Sequence, residues 1–269
     1  MIFELVTADE VFIDPPTPSV LGQTEFESFL PFRHDYIIIG ARPSIGKTSF
    51  ALSYIVNFLK ENIGSTCLFV SCEMNKKQIL LFLHRQGAWG ALEKSNLYIC
   101  APRGICAPDM FVEIEKFHDR HRPAIICIDH LHLLEYVKNF NNRYEEVRKI
   151  SDALKKLRDN CESRLLVLAQ LNREGEKRGF PPFITDLKDS GSIEADADAV
   201  VLLDRPEVRA QAALDRADST TTDAALGKHH SVVLEQSGKM NIYISKNRYG
   251  KTGVIRATFL PERLLVTNF

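Results

Sequence analysis

The segment from Tyr36 to Thr48 constrains the fold of this chain more than any other feature. Its sequence, Tyr-Ile-Ile-Ile-Gly-Ala-Arg-Pro-Ser-Ile-Gly-Lys-Thr, leads from an apolar run into a short loop and then into apolar residues at helical spacing. In such a loop the backbone N–H groups converge on nucleotide phosphates, a lysine reaches the β- and γ-phosphates, and a hydroxyl holds Mg²⁺. The sequence therefore predicts a phosphate cradle, with Thr48 as a metal ligand, made of Ala41, Arg42, Pro43, Ser44, Ile45, Gly46, Lys47 and Thr48.

Composition limits the classes of protein to which the chain can belong. Its 269 residues are 45% apolar, which is enough to bury one substantial core. With 34 basic and 35 acidic side chains the net charge is -1, so any contact with a nucleic acid must be local. The six cysteines show no Cys-x-x-Cys pairing, and the chain has neither a basic leader nor 18 apolar residues in a row. We expect a cytoplasmic protein with packed thiols and no membrane segment.

The order of apolar runs predicts an α/β fold. We expect residues 1–34 to form a loosely structured arm and residues 35–269 to form one domain. Strands are predicted at Cys67 to Ser71, Ala124 to Asp129, Arg164 to Gln170, Ala199 to Leu203 and Asn241 to Ser245, and the clearest helix is Arg143 to Asn160. Alternating strands and helices favour a mostly parallel central sheet with helices on both faces. Residues 205–240 contain no aromatic side chain, which favours a mobile surface insertion.

Three strand ends supply candidate catalytic side chains. Asp129 ends an apolar strand, where a carboxylate contacts Mg²⁺ in nucleotide hydrolases, although many buried strands end in Asp as a turn residue. Glu73 follows another strand and is the candidate general base, with a helix-start glutamate as the alternative. Gln170 carries a neutral amide suited to sense a γ-phosphate, and its alternative role is to hold a loop.

Two cations near the C-terminus form the last part of the predicted site. Lys246 and Arg248 follow a strand and are separated by one residue, so that both side chains point to one side. If they met the nucleotide of a neighbouring subunit, they would stabilise the charge that develops on the γ-phosphate. A solvated basic turn is the commoner role of such a pair.

Six motifs in this order resemble those of DnaB-type replicative helicases. They are Ala-Arg-Pro-Ser-Ile-Gly-Lys-Thr, Ser-Cys-Glu-Met, Ile-Asp-His-Leu, Leu-Ala-Gln-Leu-Asn-Arg, the block from Asp186 to Asp198, and Ser-Lys-Asn-Arg-Tyr-Gly. The resemblance covers roughly Tyr36 to Phe259 and is to the RecA-like C-terminal motor domain of these helicases. It implies a RecA-like fold, ATP with Mg²⁺ at each junction of a homo-oligomeric ring of six subunits, and Lys246 and Arg248 acting in trans.

The resemblance also locates the expected DNA contacts. It implies single-stranded DNA in the ring centre, in contact with Arg143, Arg173, Gly191 and Ser192, and a helicase loader as a further partner. The 34 residues ahead of the motor are too few for the family's usual N-terminal domain, which makes primase coupling doubtful. The paired histidines His118/His121, His130/His132 and His229/His230 lack a cysteine partner set at zinc spacing, which favours a surface role over metal binding.

We therefore expect an ATP-driven DNA helicase that moves along single-stranded DNA in replication, in the 5′ to 3′ direction implied by the resemblance. One alternative is a DNA-binding ring or helicase loader that uses ATP but does not unwind. The other is a RecA-like recombinase, against which the block from Asp186 to Asp198 and the Lys246–Arg248 pair argue.

Overall fold

The computed structural model describes residues 3–6, 25–30, 35–102, 104, 106–135, 143–172, 180–187, 191–216 and 223–269. The strands are Glu4–Val6 (β1), Tyr36–Ala41 (β2), Thr66–Ser71 (β3), Asn96–Cys100 (β4), Ile125–Asp129 (β5), Arg164–Gln170 (β6), Ala199–Asp204 (β7), Lys239–Asn247 (β8), Gly253–Leu260 (β9) and Leu265–Thr267 (β10). The helices are Glu25–Phe29 (α1), Lys47–Glu61 (α2), Lys76–Gln86 (α3), Trp89–Leu92 (α4), Ala107–His121 (α5), Arg143–Asn160 (α6), Gly191–Asp196 (α7), Pro206–Leu214 (α8) and Asp223–Glu235 (α9).

All these strands form one sheet in the order β1-β4-β3-β5-β6-β2-β7-β8-β9-β10. The central strands from β4 to β7 are parallel, whereas β1 and the series β8, β9 and β10 pair antiparallel at the two edges. The prediction of an α/β fold with a mostly parallel sheet is confirmed. Because the central strands are parallel, their carboxyl ends lie together, and the side chains that follow β2, β3, β5 and β6 gather at that end of the sheet.

Strand β2 lies at the centre of the molecule and is buried along its whole length. Its alternate residues enter different cores, with Ile37 and Ile39 on one face and Tyr36 and Ile38 on the other. The first core includes α2, and the second includes α5 and α6. A strand covered on both faces is a near-continuous apolar run, which is why it was recognisable in the sequence.

The described parts of the first 34 residues pack on the domain, which differs from the loose arm that the sequence predicted. Strand β1 pairs with β4, and Phe26 of α1 is fully buried. Both elements are shorter than the windows over which hydrophobic periodicity is detectable. Residues 7–24 and 31–34 lie outside the described residues.

Residues 205–240 contain α8, α9 and the first two residues of β8. Pro206 and Ala210 of α8 are buried, and Met240 lies in the core. The predicted insertion therefore overlaps the sheet at its C-terminal boundary, because β8 begins before its most apolar part. None of the helices in the described ranges is long and apolar enough to cross a membrane.

Candidate nucleotide site and its distant cation pair

The phosphate cradle joins the end of β2 to the start of α2, as the sequence predicts for this type of loop. Ser44 and Gly46 have positive φ angles of 63° and 105°, the kind of backbone conformation that occurs in anion-binding loops. A cleft of about 390 Å³ opens above the loop. Seven of the eight predicted cradle residues line it, together with Ser49 from α2: Ala41, Arg42, Pro43, Ser44, Gly46, Lys47 and Thr48. Ile45 is instead buried in the core.

Lys47, Thr48 and Asp129 meet at the floor of this cleft. Thr48 Oγ1 donates a hydrogen bond of 2.9 Å to Asp129 Oδ2, and Lys47 Nζ lies 3.8 Å from Oδ1 of the same carboxylate. Burial raises the pKa of Asp129 and lowers the pKa of Lys47, and the attraction between the two side chains opposes both shifts.

Two of these side chains, Thr48 and Asp129, fit a divalent cation. Asp129 Oδ1 is buried and has no hydrogen-bond partner within the described part of the chain. A hydroxyl and a carboxylate oxygen beside a phosphate cradle form the donor set that Mg²⁺ uses in nucleotide hydrolases. Thr48 and Asp129 are therefore placed to hold Mg²⁺ against a bound triphosphate.

Glu73 and Gln170 line the cleft from neighbouring strand ends. Glu73 is exposed and follows β3, where the Ser71 hydroxyl accepts a hydrogen bond of 2.9 Å from the backbone N–H of Met74. Gln170 is the last residue of β6 and lies opposite Ala41 in the register of β2. The fold thus brings Glu73, Asp129 and Gln170 to the phosphate loop.

His130 is a cleft residue that the sequence interpretation missed. It was grouped with surface histidines, but it is only 6% exposed and lines the cleft. Burial, reinforced by Lys47 and His132, lowers the pKa of His130 to about 3, so the ring is neutral near pH 7. It shares a hydrogen bond with the Gln170 side chain. Its position directly after Asp129 was the available signal in the sequence.

Among the described residues, no group of three His, Cys, Asp or Glu side chains could hold a metal ion.

The remaining wall of the cleft is apolar and comes from elements that the sequence did not predict. Phe82 of α3, Phe259 of β9 and Leu264 line it. The Arg205 guanidinium lies 4.1 Å above the Phe259 ring. An aromatic face beside a phosphate cradle is suited to a flat nucleobase.

Lys246 and Arg248 lie at the opposite end of the parallel strands, beside their amino-terminal residues. Because β8 is antiparallel to β7, its C-terminal end pairs with the start of that strand, Asn247 with Ala199. Lys246 Nζ donates hydrogen bonds of 2.5 and 3.2 Å to the carbonyl oxygens of Glu194 and Ala195 in α7. Arg248 donates to Ala195 O at 3.2 Å and to Asp198 Oδ1 at 2.8 Å.

The predicted DNA contacts are only partly within the described residues. Arg143 begins α6, where its guanidinium donates to the His132 and Leu134 carbonyl oxygens and to Glu146. Gly191 is exposed at the start of α7, and Ser192 follows it in the helix. Arg173 and the side chain of Ser192 lie outside the described residues.

The block from Asp186 to Asp198 has a structural role in this chain. Asp186 is buried and accepts a hydrogen bond of 3.0 Å from the backbone N–H of Phe183. Asp198 is also buried and accepts from Arg158 at 2.5 Å and from the Tyr36 backbone N–H at 3.0 Å. Asp186 therefore closes a local turn, and Asp198 fixes the segment that follows α7 to the start of β2.

Comparison with known proteins agrees with this geometry. The model of the DnaB-like helicase C-terminal domain matches residues 32–88 and 82–268. The replicative DNA helicase DnaC of Bacillus subtilis is 29% identical over 255 residues, covering 86% of this chain and 51% of that protein. The replicative DNA helicase DnaB of Buchnera aphidicola is 30% identical over 255 residues, covering 84% of this chain and 50% of that protein. The chain thus spans about half the length of the curated relatives that it matches.

Solved structures give the same answer for the fold. A DnaB-like replicative helicase, studied with its primase interactions, superposes with a TM-score of 0.73 at 25% identity, covering 91% of this chain and 60% of that one. The ATPase domain of G40P gives the same score and identity, with 91% and 89% coverage. A KaiC-like protein of Pyrococcus horikoshii, 14% identical with a TM-score of 0.63, shares the fold. The resemblance seen in the motifs is confirmed, and the chain belongs to the DnaB-like helicase C-terminal domain family.

Proposed function

We propose that this chain is an ATP-hydrolysing motor that moves along single-stranded DNA and unwinds duplex DNA during replication. Family membership and the replicative helicases among its relatives support this activity. The proposal depends on one structural observation. The phosphate cradle lies at the carboxyl ends of the parallel strands, and the Lys246–Arg248 pair lies at their amino-terminal ends.

That separation favours a site shared between two copies. Arg248 contacts Asp198, whose carboxylate accepts from the Tyr36 N–H at the start of β2, whereas the phosphate loop follows Ala41 at its end. The six residues of β2 span roughly 20 Å at about 3.3 Å per residue. Lys246 and Arg248 are too far away to reach the phosphates of their own subunit. A ring, in which each subunit lends its cations to the next, satisfies this geometry, and six subunits is the number usual in the family.

Each candidate side chain then has a defined role. Lys47 and the loop N–H groups bind the β- and γ-phosphates. Thr48 and Asp129 would hold Mg²⁺, which would neutralise phosphate charge. Glu73 accepts the proton of the attacking water. The neutral His130 and the Gln170 amide form a hydrogen-bonded pair that differs in its contacts before and after the γ-phosphate leaves.

The cation pair completes the site from outside. Lys246 and Arg248 of an adjacent copy approach the γ-phosphate and stabilise the charge of the transition state, an effect of about 10³ to 10⁵ in rate for an arginine supplied in trans. Either cation must first leave its carbonyl or carboxylate acceptors in its own subunit.

We assign the DNA contacts to Arg173, Gly191 and Ser192, with Arg143 as a further candidate. Backbone N–H groups at Gly191 and Ser192 suit contact with phosphates that is independent of base sequence. Arg143 is engaged by three acceptors within the chain, so a DNA contact there would compete with them. The 5′ to 3′ direction, a cytoplasmic location and a helicase loader as partner belong to the same proposal and rest on family membership.

The test combines ATP hydrolysis with strand displacement. ATP turnover is measured with and without single-stranded DNA, and the mass of the nucleotide-bound assembly is determined in the same buffer. Partial duplexes with a single-stranded tail at only the 5′ end or only the 3′ end then report unwinding and its direction. We expect DNA-stimulated turnover, a ring, and displacement from the 5′-tailed substrate. Stimulated turnover without displacement would favour the non-unwinding ring or loader, and filaments on DNA would favour the recombinase. A monomer that hydrolyses ATP at full rate would disprove the shared site.

A further inference from the structure

The turn that carries Arg248, between β8 and β9, rests on the short N-terminal helix α1. We propose that Asn247 is the positioning residue of the cation pair and that the C-terminal end of α1 is the surface on which it holds the pair in place. This inference rests on the proposed function, because it concerns how Lys246 and Arg248 are presented to an adjacent subunit. It also explains the Asn and Gly of the Ser-Lys-Asn-Arg-Tyr-Gly motif, which phosphate chemistry leaves unexplained.

Asn247 makes the contacts that fix the turn. Its Nδ2 donates a hydrogen bond of 2.7 Å to the Phe29 carbonyl oxygen and one of 3.1 Å to the Lys251 carbonyl oxygen. Its Oδ1 accepts a hydrogen bond of 3.2 Å from the backbone N–H of Tyr249. One side chain therefore joins both sides of the turn and anchors it to α1. Lys246 and Arg248 are its immediate neighbours in the chain.

The two glycines that follow allow the close approach. A Cβ atom at Gly250 would lie 2.6 Å from Asn247 Nδ2 and 2.8 Å from the Phe29 carbonyl oxygen. A Cβ atom at Gly253 would lie 2.8 Å from the Phe29 ring. Lys251 adds a cation–π contact, with Nζ 4.9 Å from the centre of that ring. The turn thus packs closely against Phe29 at three positions, Gly250, Lys251 and Gly253.

This anchor is independent of the contacts that the cations themselves make. The side chains of Lys246 and Arg248 contact α7 and Asp198, and those side-chain contacts are lost when the cations turn toward an adjacent nucleotide. The hydrogen bond of 2.8 Å from the Arg248 backbone N–H to the Asp198 carbonyl oxygen does not depend on the side chain and fixes one point of the turn on this side. The hydrogen bonds of Asn247 to Phe29 and within the turn involve neither α7 nor Asp198. They can persist in both states, so the backbone stays in place while the long side chains change partners. A misplacement of about 1 Å costs on the order of 100-fold in rate, which makes such an anchor catalytically important.

The test uses two variants and one matched control in the full chain. Asn247→Ala removes the anchoring side chain. Gly250→Ala keeps that side chain but places a Cβ atom against both atoms of its hydrogen bond to Phe29, which forces the turn away from α1. Asn160→Ala is the control, because Asn160 donates an exposed hydrogen bond to Glu115 at the end of α6. For both test variants we expect kcat for ATP to fall about 10- to 100-fold. We expect KM and the affinity for a non-hydrolysable ATP analogue to stay near wild type, because the phosphate loop is untouched. The melting temperature of Asn247→Ala should fall by only about 2 to 4 °C, the effect of roughly 1 kcal/mol of lost hydrogen bonding.

Mixing experiments separate positioning from a general loss of structure. Lys47→Ala subunits have an impaired phosphate loop and an intact turn, so adding them to Asn247→Ala subunits should restore turnover above the sum of the two alone. Wild-type kcat in Asn247→Ala, or a loss that mixing does not repair while Arg248→Ala is repaired, overturns the inference. If Arg248→Ala is not repaired either, the shared site of the proposed function fails instead.

Discussion

Arg248 and Asp198 form an ion pair, with Nη1 2.8 Å from Oδ1. The pair lies at the amino-terminal ends of the parallel strands, whereas the phosphate loop lies at their carboxyl ends. Asp198 is 2% exposed, whereas the Arg248 side chain is 40% exposed. The carboxylate is fixed by Arg158 and by the Tyr36 N–H, so it remains in place if Arg248 leaves. The pair therefore gives the isolated subunit a resting position for a cation that the proposed mechanism uses elsewhere.

Lys47→Ala should reduce ATP turnover to background, because the ammonium group that binds the β- and γ-phosphates is removed. Steady-state hydrolysis with saturating single-stranded DNA measures the effect. Lys76→Ala is the control, since Lys76 pairs with Glu4 outside the cleft. Wild-type turnover in Lys47→Ala would remove the proposed mechanism.

Arg248→Ala subunits mixed with Lys47→Ala subunits should hydrolyse ATP faster than either variant alone. Some junctions in the mixed ring then combine an intact phosphate loop with an intact cation pair. Turnover is followed as the ratio of the two variants is varied, and a maximum near equal amounts is expected. A flat profile would argue against catalysis in trans.

Asp198→Asn should destabilise the fold by about 2 to 3 kcal/mol, since it leaves the largely buried Arg158 with only the exposed Asp159 as a charge partner. We set the value below that of a fully buried pair because Arg248 is screened by solvent. Urea unfolding measures the change. Asp159→Asn is the matched control, because Asp159 contacts the same arginine but is 56% exposed. Equal effects of both substitutions would contradict the assigned role.

Asp35→Asn should alter how stability depends on pH. Burial raises the pKa of Asp35 to about 6 from its ordinary value of 3.8, and Arg164 opposes this shift. The folded state therefore holds a proton that the unfolded state has lost between about pH 4 and 6, and wild-type stability falls as the pH rises through this range. Asn does not titrate in this range, so the free energy of unfolding of the variant should rise relative to that of wild type between pH 4 and pH 7. An unfolding free-energy difference that is constant with pH would refute this.

Gly46→Ala should weaken nucleotide binding by at least about 10-fold and destabilise the fold by about 1 to 2 kcal/mol. Gly46 has a φ of 105°, and a Cβ atom there would lie 3.0 Å from the Phe259 ring. Gly90→Ala is the control, because that glycine lies in α4 and an added Cβ atom would meet nothing within 4 Å. Binding of a fluorescent ATP analogue measures the affinity. Equal affinity in both variants would show that the cradle tolerates the side chain.

Much of the central sheet could be predicted from the sequence. Strand β6 and helix α6 have the predicted bounds, Arg164–Gln170 and Arg143–Asn160. A strand buried on both faces is an uninterrupted apolar run, and an 18-residue helix repeats its apolar stripe several times. Strands β4 and β9 were missed because part of each faces away from the core, and β1 and β10 because they are three residues long.

The sequence alone determined the chemistry of the phosphate loop and the strand ends on which Glu73, Asp129 and Gln170 lie, because those signals are local. Only the tertiary structure decided on which edge of the sheet the cations of β8 lie, since that depends on the antiparallel pairing of β8 with β7. It likewise brought Phe29 to Asn247 across 218 residues of chain and made His130 a buried cleft residue. Contacts between distant segments depend on packing and register, which no local pattern of residues encodes.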